Sequence, residues 1–124
     1  MKSSSISART PLLSTHSLTA SLLRRGVLRQ LAQLRHGQLV VCEEGERLVF
    51  GSSGAALLGE IHIHDSSAWG LVASSGSIGA GEAFIHGYWS TPDLTAVIRV
   101  FVSNLDVLDA MEGGLAKLGR PLIR

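Results

Sequence analysis

The stretch from Glu60 to Trp89 constrains the fold of this chain more than any other segment. It reads EIHIHDSSAWGLVASSGSIGAGEAFIHGYW and holds three of the five histidines, four of the six aromatic residues and the densest run of glycines. The alternation of apolar and polar residues at its start indicates a strand, and closely spaced glycines permit left-handed turns and close approach of chain segments. We therefore expect this stretch to be either a folded site or a hub of core packing.

The composition suits one small globular domain. The chain has 124 residues, of which 45% are hydrophobic and 17% charged, and this length can bury a core of modest stability. No apolar run approaches the ~20 residues that a membrane-spanning helix needs. The single cysteine, Cys42, excludes an internal disulfide, and its place in the run LVVC predicts a buried, unreactive thiol.

Charge is distributed unevenly along the chain. Residues 1–42 carry six bases and no acid, whereas residues 43–112 carry ten acids and two arginines. A basic front end favours an anionic partner, of which membrane surfaces and nucleic acids are the usual ones. The candidate residues for membrane contact are Arg24, Arg25, Arg29 and Arg35.

The pattern of elements predicts an α+β fold, in which an N-terminal amphipathic helix and C-terminal helices pack on a small antiparallel or mixed sheet. Residues 1–16 are expected to be a disordered lead, residues 17–118 a single accessory domain, and residues 119–124 a tail or the start of a linker. The first helix is predicted from Ser17 to His36. Its apolar arc either packs on the domain, which we favour, or lies on anionic lipid.

Three strands in series are predicted after this helix, and they suggest an antiparallel sheet. The first two, Gln38–Cys42 and Arg47–Phe50, form a hairpin in which Gly45 supplies the positive φ that the turn needs. The third covers residues 55–64, where Glu60, His62 and His64 share one face.

The second half of the chain is predicted to be mainly helical. A short helix over Ala68–Ala73 precedes a glycine loop over Ser74–Gly81, and the pattern of residues 82–88 fits a helix or a strand. The run Thr91-Pro92-Asp93 predicts a helix start, with Thr91 as the cap and proline in the first position. A weaker helix is predicted from Asp106 to Leu118.

The chemistry of the central stretch is weakly indicated. His62 and His64 point to the same side of a strand, as a metal would require, with His86 downstream, but we favour hydrogen-bonded histidines. The glycine run lacks the spacing and the lysine of a phosphate-binding loop. Glu82 follows that run directly, and we expect its carboxylate to be at least half-buried and to anchor the loop. We therefore predict no catalytic, cofactor-binding or metal-binding residue.

Residues 76–89 read GSIGAGEAFIHGYW and are followed by Asp93-Leu94. This block resembles the N-terminal region of cyclopropane-fatty-acyl-phospholipid synthases and their mycolic-acid-type relatives, which reads G-x-x-G-x-G-E-A-[YF]-[MI]-x-G-W-W and then D-L. The likeness runs from about Leu31 to Asn104, with His86 where an acid is common and Tyr88 where tryptophan is usual. The matching signature residues are Gly76, Gly79, Gly81, Glu82, Ala83, Gly87 and Trp89.

The resemblance implies a non-catalytic domain of a lipid-biosynthesis protein, which aids docking on phospholipid and supports a dimer and a catalytic domain. In the family an S-adenosylmethionine-dependent methyltransferase domain follows, and this chain stops before it, so whether the chain belongs to an enzyme stays open. The implied partners are an anionic phospholipid surface, the methyltransferase domain or a partner chain, and a second copy of this chain, but not nucleic acid. The implied location is cytoplasmic, peripheral to the inner membrane.

Two other functions stay open. A free-standing carrier of fatty acids or small ligands predicts an apolar cavity, to which Trp69, Tyr88 and Trp89 could contribute, although we expect at least two of these aromatics to pack in the core. A stand-alone enzyme would use the histidines or Glu82, and we rank it last.

Overall fold

The computed structural model describes residues 19–112, which form an α+β fold of four helices and a four-stranded mixed sheet, as predicted. The predicted lead over residues 1–16 and the tail over residues 119–124 lie outside this range. In chain order the elements are α1 (residues 19–31), β1 (Gln38–Glu43), β2 (Glu46–Gly51), β3 (Leu58–Ile63), α2 (Ser67–Ile85), β4 (Trp89–Ser90), α3 (Leu94–Val102) and α4 (residues 105–112).

The predicted hairpin is confirmed. β1 and β2 pair antiparallel, with Glu43 opposite Glu46. The two residues of the turn, Glu44 and Gly45, have φ values of 49° and 80°, as a tight hairpin turn that matches the twist of the strands requires.

The prediction of an antiparallel sheet for the first three strands is wrong, because β3 runs parallel to β1 in a sheet of order β2-β1-β3-β4. The reason lies in the loop between β2 and β3. The amide of Ser52 donates to the carbonyl of Gly37 at 2.8 Å, and the amide of Gln38 donates to the carbonyl of Leu57 at 2.9 Å. The loop therefore wraps around the start of β1 and places β3 on the far edge of that strand.

The buried side chain of Asn104, in the turn between α3 and α4, fixes the segment that follows α1. Its Oδ1 accepts hydrogen bonds from the amides of Arg35 and His36 at 2.9 and 3.0 Å. Its Nδ2 donates to the carbonyls of His36 and Val100 at 2.8 and 2.7 Å. These bonds hold residues 35 and 36 in a non-helical conformation, so α1 ends at residue 31 and not at His36 as predicted.

Helix α2 breaks at Gly76, which has φ 57° and ψ −131°, a conformation that glycine alone adopts without strain. We call residues 67–75 α2a and residues 77–85 α2b. The predicted loop over Ser74–Gly81 is therefore wrong, since helical structure resumes after a single residue. Residues 82–88, which the pattern left undecided, continue the helix as far as Ile85.

Two glycines of this run are required because backbone segments approach closely. A Cβ atom built on Gly79 would lie 1.9 Å from the carbonyl oxygen of Leu71. One built on Gly76 would lie 2.7 Å from the Cα of Glu112. The first contact folds α2b back against α2a, and the second brings the end of α4 onto the break.

The end of α2 reverses the chain into the sheet. The amide of Tyr88 donates to the carbonyl of Ala83 at 2.8 Å, with Gly87 in a left-handed conformation at φ 79°. This is the Schellman pattern of helix termination. Trp89 then pairs with Ile63, so that β4 completes the sheet beside β3.

The start of α3 differs from the prediction by two residues. Asp93 caps the helix, since its Oδ1 accepts a hydrogen bond from the amide of Ala96 at 3.1 Å. Thr91 instead accepts from the amide of Asp93 at 3.1 Å. Pro92 therefore precedes the helix and does not open it.

The four helices build a core on one face of the sheet, the face that carries Leu39 and Val41. The predicted apolar arc of α1 packs there, as favoured. The helix predicted over Asp106–Leu118 is present as α4 from residue 105 to residue 112, and its remainder lies outside the described range. The buried residues of this core are Val27, Leu31, Leu34, Leu39, Val41, Trp69, Val100 and Val107.

Candidate functional site

Side chains of residues 19–112 do not fill the space between the sheet and the helices. A cavity of about 420 Å³ lies there, with walls from all four helices, β1, β3 and β4. This volume falls in the range of small-molecule sites and is much larger than the voids of a close-packed interior. The wall is almost entirely apolar and includes Val27, Leu31, Val41, Ile61, Trp69 and Trp89. Such a wall suits an apolar ligand, because it offers no hydrogen-bond partner to a polar one.

The cavity is half open, and exposed apolar side chains stand at its opening. Leu94, Ile98 and Val102 lie four residues apart on α3, line the cavity and are 39%, 51% and 55% exposed. Phe84 of α2b also lines the cavity and is 39% exposed. We call these four residues the rim. Exposed apolar side chains gathered around one cavity indicate a surface that contacts something apolar.

The two tryptophans turn their apolar rings to the cavity while their polar atoms are bonded elsewhere. The Nε1 of Trp89 donates to the carbonyl of Ala80 at 2.8 Å. The Nε1 of Trp69 donates to Oε2 of Glu43 at 3.1 Å. Both side chains are buried, at 8% and 5% exposure, so the prediction that at least two aromatics pack in the core is confirmed.

The signature residues have mainly structural roles. Gly76 and Gly79 allow the close approaches within and onto α2, Gly87 allows its termination, and Ala83 and Trp89 are buried together. Gly81 lines the cavity and is exposed. The expectation that the Glu82 carboxylate is at least half-buried and anchors a loop is wrong, because residue 82 lies on a helix and is exposed.

Two of the four arginines predicted to contact a membrane are engaged with acids. The Nε of Arg24 lies 2.9 Å from Oε1 of Glu43, and its guanidinium carbon lies 5.4 Å from the centre of the Trp69 ring. Arg35 pairs with Asp106 at 3.4 Å between Nη2 and Oδ2. The other two, Arg25 and Arg29, are exposed on α1, and no ion pair joins them to another described residue.

The opposite face of the sheet carries a polar cluster. Cys42 of β1 and His62 of β3 are register partners, and Glu60 lies two residues before His62 on the same side of β3. One potential ligand atom from each of these three residues lies within 4.8 Å of those of the other two. Cys42 is half-buried, so the expectation of a buried thiol is wrong. Among the residues that the structure describes, these three form the group whose side chains could jointly bind a metal ion.

The three histidines of the central stretch do not converge. The Nε2 of His62 lies 2.5 Å from Oε2 of Glu60, and the Nε2 of His64 lies 2.6 Å from Oγ of Ser90. The ring of His86 lies 5.3 Å from that of Tyr88. Hydrogen-bonded histidines, the favoured interpretation, are therefore confirmed for His62 and His64.

Sequence reasoning predicted an apolar cavity only under the carrier alternative, without its position or its rim, and it missed the part of Cys42 in the polar cluster. The i, i+4, i+8 spacing of Leu94, Ile98 and Val102 is visible in the sequence, but it is also the spacing of a buried helix face. The approach of Cys42 to His62 depends on the parallel pairing of β1 and β3, which no local pattern indicates.

None of the helices within residues 19–112 is long and apolar enough to cross a membrane. Comparisons of the chain with protein-family models, with curated proteins and with solved structures give no match. The resemblance to cyclopropane-fatty-acyl-phospholipid synthases therefore remains a prediction from the motif.

Proposed function

We propose that this chain is the non-catalytic, lipid-interacting accessory domain of a cyclopropane-fatty-acyl-phospholipid synthase-like protein, and that its cavity receives one acyl chain of a phospholipid at the membrane surface. The observation that carries the proposal is the half-open apolar cavity of about 420 Å³ with its exposed apolar rim. The motif at residues 76–89 supports it, since the resemblance implies phospholipid docking and support of a dimer and of a methyltransferase domain.

Apolar contact contributes more to this docking than charge. The described residues carry ten acids against six arginines, and Arg24 and Arg35 are paired with acids. The free energy of docking then comes mainly from apolar area removed from water at the rim, at about 25 cal/mol per Å². Arg25 and Arg29 add a smaller attraction to anionic lipid, of roughly 1 kcal/mol for each residue near the surface.

Vesicle co-sedimentation tests the proposal with a matched pair of variants. Ile98→Glu places a charge on the rim, whereas Val49→Glu places the same charge on an apolar side chain of β2 that is 48% exposed and does not line the cavity. Ile98 is 51% exposed before docking, so burying the rest of its side chain contributes about half of the roughly 1.5–3 kcal/mol of full burial. A carboxylate taken out of water at this position adds a further cost. Ile98→Glu should therefore lose binding to phosphatidylcholine vesicles, and Val49→Glu should retain it.

The lipid composition separates the two contributions. Wild-type chain should bind neutral phosphatidylcholine vesicles and bind more tightly when phosphatidylglycerol is added. A double Arg25→Gln, Arg29→Gln variant should lose that increment and keep the binding to neutral vesicles. Failure of the wild-type chain to bind either vesicle would falsify the membrane role.

A free-standing carrier of fatty acids is the second candidate, and the cavity favours it as well. A carrier encloses its ligand away from any bilayer, so it binds free fatty acid and ignores vesicles. Trp69 and Trp89 line the cavity, and their fluorescence reports a ligand that enters it. A fluorescence change with a free fatty acid, in a chain that does not sediment with vesicles, would select the carrier over the membrane-docking domain.

A further inference from the structure

The face of the sheet that points away from the helices holds three chemically different ligand groups at one place. The parallel pairing of β1 with β3 puts Cys42 directly beside His62. Glu60 shares the side of β3 on which His62 lies, because side chains two residues apart on a strand point the same way. All three residues are half-buried, so their polar atoms lie on a rigid support and remain reachable from solvent.

We propose that Cys42, Glu60 and His62 form a zinc site, in which the thiolate, the carboxylate and one imidazole nitrogen supply three ligands and water supplies the fourth. The potential ligand atoms already lie within 4.8 Å of one another. In a tetrahedral zinc site with bonds of 2.0–2.3 Å, ligand atoms lie about 3.5 Å apart. Rotation of the side chains closes this difference, so the strands need not move.

The donor set selects the class of metal. Thiolate and imidazole are soft or borderline ligands that suit zinc, whereas magnesium and calcium prefer all-oxygen sites. A cation also replaces the present contact between His62 Nε2 and Glu60 Oε2, which are 2.5 Å apart, because both atoms can turn toward it. The site lies across the sheet from the cavity, and it therefore stands independently of the proposed lipid binding.

The assignment differs from the pairing that a His-x-His run suggests. His64 follows His62 by two residues, but its Nε2 is bonded to Oγ of Ser90 at 2.6 Å, and it is not a member of the cluster. The zinc site therefore needs Cys42 from the neighbouring strand and does not need His64.

Titration with Co²⁺, as a spectroscopic substitute for Zn²⁺, tests this with the untagged, reduced chain of 124 residues. A cysteine-ligated site gives a sulfur-to-cobalt charge-transfer band together with the visible bands of tetrahedral coordination, and Zn²⁺ should abolish both by displacement. The near-isosteric variants Cys42→Ser and Glu60→Gln, and His62→Gln, should each weaken binding at least about tenfold, since the loss of an outer-shell partner alone costs 10–100-fold. His64→Ala and His86→Ala are the matched controls and should bind as the wild-type chain does.

Protection of the single thiol gives an independent readout. Zn²⁺ should slow the alkylation of Cys42 in the wild-type chain and in His64→Ala, because a metal-bound sulfur is a weaker nucleophile than the free thiolate. At a Zn²⁺ concentration that just saturates the wild-type chain, the protection should be much smaller in Glu60→Gln and His62→Gln. Absence of the charge-transfer band, or an unchanged Co²⁺ affinity in Glu60→Gln and His62→Gln variants with native circular dichroism, overturns the proposal.

Discussion

Gly79 and Leu71 are in backbone contact across the break in α2, so close that a Cβ on Gly79 would lie 1.9 Å from the carbonyl oxygen of Leu71. This contact determines how closely α2b packs against α2a. It thereby positions Phe84 and Gly81 at the cavity. The glycine run of the sequence is thus a means of shaping the cavity, although it contributes no polar group to it.

Gly79→Ala should destabilise the domain. The added methyl group cannot fit unless the backbone moves. The loss of unfolding free energy should therefore equal or exceed the roughly 1–3 kcal/mol that ordinary overpacking costs. Chemical denaturation followed by circular dichroism measures it. Gly81→Ala is the control, because a Cβ there meets nothing within 4 Å. That variant should be stabilised by up to about 1 kcal/mol, since alanine is the better helix former. Equal stability of the two variants would contradict the observed packing of α2b.

Asn104→Ala should destabilise the domain by about 2–4 kcal/mol. The substitution empties the buried site of the Asn104 side chain and leaves the part-buried amides of Arg35 and His36 without their acceptor. An unpaired buried group costs roughly 1–3 kcal/mol, and a partly solvated one costs less. Hydrogen exchange of these two amides should accelerate in the variant at conditions where it is still folded. Ser103→Ala changes the adjacent exposed residue and should alter neither stability nor exchange.

Glu43→Leu should destabilise the domain by roughly 1–3 kcal/mol, chiefly because the buried Nε1 of Trp69 loses its acceptor. The lost pairing of Arg24 contributes less, since that side chain is 31% exposed and can turn to water. Glu46→Leu is the comparison, because Glu46 is 63% exposed and lies 3.6 Å from Arg24. Denaturant unfolding monitored by tryptophan fluorescence should show a loss of less than about 1 kcal/mol there. A larger loss of unfolding free energy for Glu46→Leu than for Glu43→Leu would contradict this prediction.

The contribution of Asp65 to the stability of the fold should depend on pH, and the direction follows from its lowered pKa. The hydrogen bond from the backbone amide of Ser67, and then the one from its side chain, lower the pKa of the Asp65 carboxyl below its ordinary 3.8. A lowered folded-state pKa means that the stabilisation is complete above pH 3.8 and is lost as the pH falls through the folded-state pKa. Carboxyl NMR titration measures that pKa directly.

Ser67→Ala tests the cause of this shift. The substitution removes the hydrogen bond from the Ser67 side chain and keeps the one from its backbone amide, which is the larger cause. The pKa of Asp65 should then rise part of the way toward 3.8. An unchanged pKa in a folded variant would show that the Ser67 side chain does not contribute to the shift.

The elements that could be predicted are those whose signals are local. The hairpin at Gly45, the apolar arc of α1 and the burial of Trp69 and Trp89 all follow from spacing and turn chemistry within short segments. The errors have a common origin in contacts between distant segments. A run rich in glycine favours a loop on intrinsic propensity, but here it is helical on both sides of Gly76, because close packing against α4 and within α2 demands glycine there.

The sequence alone determined the class of the fold, because the periods of its apolar residues and its turn residues act over a few positions. It also determined the motif at residues 76–89, on which the proposed relationship depends. The tertiary structure decided that β3 pairs parallel to β1, which brings Cys42 to His62, and that the helices leave a cavity of about 420 Å³ above the sheet. Both results depend on how separate elements pack in three dimensions. The free energy of that packing depends on contacts between distant segments, so no local pattern of residues predicts it.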